Sequence, residues 1–124
     1  FEKGDVLFGK LRPYLKKYWL AEFDGVCSTE ILVFKPNSAC LPVYGFYIVQ
    51  QQSFVDYAVQ SSCGTKMPRT NWEKLSAYMV ELPTLEEQQK AITVLNDVDK
   101  SIDSVQKHAM SINEYKKQLL NDLL

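Results

Sequence analysis

From Leu85 to the C-terminus, apolar residues recur every three or four positions: Leu95, Val98, Ile102, Val105, Ala109, Ile112, Leu119 and Leu123. That period puts them on one face of a helix. The stretch contains neither Gly nor Pro, and one step interrupts its stripe, where Lys116 lies between Ile112 and Leu119 with Tyr115 beside it. Thr84 and Glu87 have the spacing of a capping box at the start of the run. Pro83 stands just before that cap, where it cannot break the hydrogen-bond ladder. About 39 helical residues would make a rod of roughly 58 Å. A pattern this long without an internal stop predicts a coiled coil or a spacer rather than an ordinary core helix.

Upstream, the periods are shorter. Val6-Leu7-Phe8 follows the turn signal Gly4-Asp5 and predicts a strand. Gly9–Trp19, here loop A, interleaves Lys10, Arg12, Lys16 and Lys17 with Tyr14, Tyr18 and Trp19 and holds no acid. Pro13 argues against a regular helix there and pushes Arg12 toward extended geometry. Asp24-Gly25 gives a turn, and Cys27–Phe34 predicts a second strand centred on Ile31–Phe34. Pro42–Gln60 predicts helix, with Pro42 in its first turn and Ser53 and Asp56 spaced to cap a second short helix. Gly45 weakens that expectation. Ser61–Asn71, here loop B, has turn composition, carries Thr65, Lys66 and Arg69, and again holds no acid. Asn71 is placed to cap a helical turn through Trp72 and Leu75. Ala77–Leu82 alternates as a strand would. The expected architecture is α+β: a globular part over residues 1–83 and a long helix over 84–124.

Composition narrows the class. The chain has 124 residues, 46% hydrophobic and 23% charged, as in a soluble globular protein of one domain. No apolar run approaches the length of a bilayer span, and no signal peptide opens the chain. It begins without Met, as a fragment would. Cys27, Cys40 and Cys63 are odd in number and widely spaced, and His108 is the one histidine. These suit reduced thiols in a cytoplasmic protein and give no zinc pattern. The net charge of −1 argues against a general polyanion binder. It is unevenly spread, however: residues 1–80 carry nine Lys/Arg against seven acids, and residues 81–124 carry five Lys against eight acids. A nucleic-acid face therefore belongs to the first part and a protein-facing rod to the second.

No catalytic set assembles. A Ser or Cys nucleophile needs a base, and His108 lies mid-rod. The carboxylate pairs Glu86/Glu87 and Asp97/Asp99 fall on the polar face of the rod, where nothing tunes them for proton transfer. There is no phosphate-cradling Gly loop. The two acid-free loops offer different chemistry. Lys10, Lys16, Lys17 and Lys66 suit phosphate contacts. Arg12, Arg69, Asn71 and Thr65 belong to the vocabulary that reads guanine, adenine and the thymine methyl.

The order of the pieces carries a resemblance. Gly4-Asp5-Val6-Leu7-Phe8 leads into Lys10-Leu11-Arg12-Pro13-Tyr14-Leu15. Ser28-Thr29-Glu30 follows, then Gly64-Thr65-Lys66-Met67-Pro68-Arg69, then Leu82-Pro83-Thr84-Leu85-Glu86-Glu87-Gln88 before the long helix. Along nearly its whole length the chain resembles the DNA-specificity subunit of type I restriction–modification systems. The resemblance implies a non-catalytic DNA-binding chain whose target recognition domain reads one half of a bipartite double-stranded target. It also implies a spacer helix that pairs with a second such helix, from a homodimer or from the rest of the subunit, and that docks the methyltransferase subunits. No cofactor is expected on this chain; S-adenosylmethionine and ATP belong to the modification and restriction subunits. Loops A and B then fall in the recognition domain, which lacks its N-terminal part here. Two other classes fit the residues: a dimerisation module with inert loops, and the recognition part of a single-chain methyltransferase–nuclease.

Overall fold

A computed structural model describes residues 1–124. The chain divides into two compact units, Phe1–Gln89 and Lys90–Leu124.

The first unit is built on a three-stranded antiparallel sheet, with β1 (Val6–Gly9) between β2 (Tyr18–Leu20) and β3 (Ile31–Phe34). Val6 pairs with Leu20 on one side and with Phe34 on the other. The central strand is a short apolar run and is buried at every position. Its alternation sends Val6 and Phe8 into a core shared with Leu32, Val49, Phe54, Ala58 and Leu75. Phe8 meets Phe54 edge-on, with ring centroids 5.3 Å apart, a favoured aromatic geometry. Helices α1 (Pro42–Gln50) and α2 (Gln52–Gln60) complete this core. They are two helices because Gln51 takes an extended backbone, with ψ of 137°.

Several sequence expectations change. Cys27–Phe34 is strand only over Ile31–Phe34, because Ser28 opens a turn: its hydroxyl accepts from the Glu30 amide and its carbonyl from the Ile31 amide. Tyr18 and Trp19, expected within loop A, form a strand with Leu20, since pairing with β1 outweighs the local basic composition. Ala77–Leu82 forms no strand, having no partner in the sheet. Its alternation leaves Val80 and Leu82 exposed. Ser53 is not a helix cap; α2 starts after Gln51, and the Ser53 hydroxyl instead lies 3.0 Å from the Tyr78 hydroxyl.

Other local signals are met. The Asn71 side chain accepts from the Lys74 amide at 3.0 Å and caps α3 (Trp72–Leu75). The Thr84 hydroxyl accepts from the Glu87 amide at 3.2 Å, opening α4 (Leu85–Leu123), which runs 39 residues. Gln88, in the first turn of α4, has no exposed surface. Its amide nitrogen donates to the Ala39 and Pro83 carbonyls at 2.8 and 3.0 Å, and its oxygen accepts from the Leu41 amide at 2.9 Å. Beyond Ile92 every residue of α4 is exposed, and Val94, Val98, Ile102 and Val105 line one shallow apolar trough. No helix is long and apolar enough to cross a membrane.

Candidate nucleic-acid interface

Loops A and B are separated by 41 residues in sequence and are stitched together by backbone hydrogen bonds. Thr70 donates to the Lys10 carbonyl at 3.0 Å, and Arg12 donates to the Pro68 carbonyl at 2.7 Å. Leu11 pairs with Arg69 in an antiparallel bridge. Loop B closes on itself as well, since Cys63 and Arg69 exchange both of their backbone hydrogen bonds, at 3.0 and 2.9 Å. The turn between them needs Gly64, whose φ of +108° is costly for any residue with a Cβ. The two loops therefore form one surface on rigid backbone, as a site that must hold geometry requires.

Loop A is shaped by a 3-10 turn over Pro13–Leu15. Arg12 and Lys16 bracket it with φ of 49° and 54°. The extended geometry expected for Arg12 is thus overturned. The hydrogen bond from its amide to the Pro68 carbonyl and the buried Pro13 ring hold it in the left-handed region, which costs about 1–2 kcal/mol for a non-glycine residue. Such strain concentrates at functional sites. The turn leaves Tyr14 and Leu15 exposed, and Met67 is exposed at the tip of loop B.

The basic side chains differ in how free they are. Lys17, Thr65 and Lys66 are exposed. Lys10 is half-buried, with its amide bonded to the Glu30 carbonyl at 2.9 Å. Lys16 reaches Gln52 Oε1 at 3.2 Å. Arg12 Nη2 makes one long hydrogen bond, 3.4 Å, to the Lys66 carbonyl. The Asn71 oxygen is engaged in its cap.

Sequence reading missed one participant. Both loops are free of acids, but the fold brings Glu30 to Arg69, with Oε2 2.9 Å from Nε. The contact is an ion pair without a directed hydrogen bond, because Glu30 Oε2 is buried without a donor. The signal lay in the strand pairing: Gly9 opposite Ile31 puts Glu30 beside Lys10. Nothing in the local composition of either loop could reveal it.

The family model of the type I restriction modification DNA specificity domain matches residues 1–114. The specificity subunit of the type I restriction enzyme EcoDI from Escherichia coli is 30% identical over 107 residues, covering 86% of this chain and 24% of that protein. The HindI specificity subunit from Haemophilus influenzae is 28% identical over 109 residues, covering 82% of this chain and 24% of its own length. The chain therefore spans about a quarter of the curated relatives it matches. In fold, it is similar to the HsdS subunit from Thermoanaerobacter tengcongensis, with a TM-score of 0.73, 24% identity, and coverage of 86% of this chain and 29% of that one. A chain from a structural study of complex assembly in the type I R-M system gives a TM-score of 0.78 at 24% identity, covering 97% of this chain and 32% of that one. With a family match over residues 1–114 and the same α+β fold ending in a long helix, the chain belongs to the type I restriction modification DNA specificity domain family.

Proposed function

We propose that this chain is a non-catalytic DNA-reading part of a type I restriction–modification enzyme. Loops A and B contact one half of a split double-stranded target. The α4 helix pairs with a second spacer helix and docks the methyltransferase subunits, with the restriction subunit joining the same assembly. In this reading residues 1–83 are the recognition domain, 84–124 the spacer, and the whole acts in the cytoplasm. S-adenosylmethionine and ATP chemistry stays on the partner subunits.

One observation carries the reading. Two basic segments, distant in sequence, are sewn into one surface by the Lys10–Thr70 and Arg12–Pro68 hydrogen bonds. A solvated surface needs no such joint. The exposed trough on α4 favours helix pairing in addition, which a dimerisation module with inert loops would share. DNA binding separates the two. Arg12→Ala with Lys66→Ala removes two cations from the joined surface. In the assembled enzyme we expect target affinity to fall at least tenfold at moderate salt, and the slope of log affinity against log salt to shrink by about 2. Equal affinity and slope in parent and double variant would refute DNA contact by these loops.

A further inference from the structure

Two buried polar side-chain atoms where loop A, loop B and the start of β3 meet make no hydrogen bond. Arg12 Nε is a donor without an acceptor, and Glu30 Oε2 has the Arg69 charge beside it but accepts no directed hydrogen bond. Buried orphans of this kind are rare in folded proteins and call for an explanation. Their placement at one junction, beside the left-handed backbone of Arg12, makes that junction unsatisfied as a whole. A ligand that supplies both a donor and an acceptor would satisfy it.

Glu30 and Arg69 define what such a ligand must offer. Their charged groups stand 2.9 Å apart. Both side chains are about half exposed, at 45% and 50%. Arg69 is fixed at its backbone on two sides, through Cys63 and Leu11, and Glu30 is fixed through its carbonyl to Lys10. In the major groove, guanine presents O6 and N7 as acceptors, and its paired cytosine presents the N4 amino group as a donor. O6 and N4 of that pair are themselves hydrogen-bonded, about 3 Å apart. An arginine and a carboxylate already held at that separation match the two edges of one base pair. A T·A pair also offers an acceptor, O4, beside a donor, N6, but thymine lacks the second acceptor, N7, that lets an arginine fork bind guanine at two points.

We propose that Arg69 and Glu30 together read a single G·C base pair, Arg69 on guanine O6/N7 and Glu30 on cytosine N4. The proposal rests on loops A and B meeting DNA and goes further in naming the base pair. Both side chains are half exposed, so the pair can meet a base edge together with only the small side-chain adjustments common at interfaces. Glu30 then exchanges an undirected contact for a directed hydrogen bond. The acid in an otherwise basic face is thereby explained: it selects against the wrong base rather than adding affinity.

The test is selection from a randomised duplex library by the assembled enzyme containing this chain, with the selected sites sequenced. The parent is expected to fix one G·C pair within the half-site. Glu30→Gln and Arg69→Ala are each expected to relax that same position about tenfold or more, leaving the other positions unchanged. Glu30→Gln should admit adenine in place of cytosine, since Gln pairs with adenine through N6 and N7. Glu30→Asp and Arg69→Lys keep the charges, spoil the geometry, and serve if the first variants do not assemble; the same position should relax. An unchanged motif overturns the proposal. So does uniform weakening across all positions, which would make Arg69 a phosphate contact and Glu30 its brace. A parent enzyme that selects no motif through these loops refutes DNA reading itself, a distinct outcome.

Discussion

Asp5 shows how one side chain secures the sheet that carries the loops. It is 6% exposed at the start of β1, and its Oδ2 accepts from Lys35 Nζ and from the Glu2 amide, both at 2.8 Å. Burial alone pushes its carboxyl pKa up; the hydrogen bonds from Lys35 and Glu2, with the Lys35 charge, outweigh it and hold the group below the usual carboxylate value. Lys35 is raised chiefly by the hydrogen bond to Asp5. A carboxyl whose folded pKa lies below its unfolded value stabilises the fold fully above the unfolded value, near 3.9, and loses that contribution as pH falls through the folded one. The lysine works in the opposite direction, stabilising below its unfolded pKa, near 10.4, and losing its contribution as pH rises through its folded one. Both contributions are intact at neutral pH. Asp5→Asn should therefore lower stability at pH 7 and flatten the decline between about pH 5 and pH 2, as read by urea unfolding at stepped pH. Parallel acid curves for parent and variant would remove Asp5 from this role. Arg12 marks the opposite case at the same scale, a residue whose backbone costs stability in order to shape a surface.

Among the elements, α4 was the most legible in sequence. Its period, its Thr84 cap and its lack of Gly and Pro are local properties, and the helix runs from Leu85 to Leu123 as they require. Strands were legible only in part: Val6–Phe8 and Ile31–Phe34 are strands as their apolar runs predict, but Tyr18–Leu20 is strand only because Val6–Phe8 lies beside it, and Ala77–Leu82, with equal alternation, has no such neighbour. The same limit hid Glu30, which reached the loops through sheet register, and hid the left-handed Arg12, set by a hydrogen bond to Pro68. Gln88 is another nonlocal feature, a polar residue on a polar-looking turn that is wholly buried. Its three hydrogen bonds tie the first turn of α4 to the chain entering α1 and to Pro83. Gln88→Ala should cost about 1–3 kcal/mol by leaving buried backbone groups unpaired. Gln88→Glu should cost more, because a carboxylate would face the Ala39 and Pro83 carbonyls and would have to be buried charged or take up a proton. Denaturant midpoints for the three proteins check the order parent, Ala, Glu; a Glu variant as stable as the parent would mean that this amide does not hold the turn.

At the scale of the whole chain, charge and apolar surface are divided by task. The basic residues that meet at the joined loops lie in the first unit, while residues 81–124 carry a net excess of three acids. Nucleic acid would be drawn to the former and repelled by the latter, so α4 is better suited to a protein partner than to a phosphate backbone. Its ion pairs, Lys107 with Asp103 and Lys117 with Glu114, lie within the helix and steady it in water. They leave Val94, Val98, Ile102 and Val105 as a continuous apolar face. Fully burying Val98 and Ile102 against a second helix would contribute about 3–6 kcal/mol. Val98→Lys with Ile102→Lys keeps two sound helix formers on the surface but puts two like charges four residues apart at the seam. The expected result is pairing weaker by roughly a hundredfold or more, seen as loss of the paired species in sedimentation. The loops are untouched, so contact with a single half-site should persist while the preference for a fixed spacing between half-sites disappears. Spacing that stays fixed in the double variant would mean that some surface other than this apolar face sets the distance.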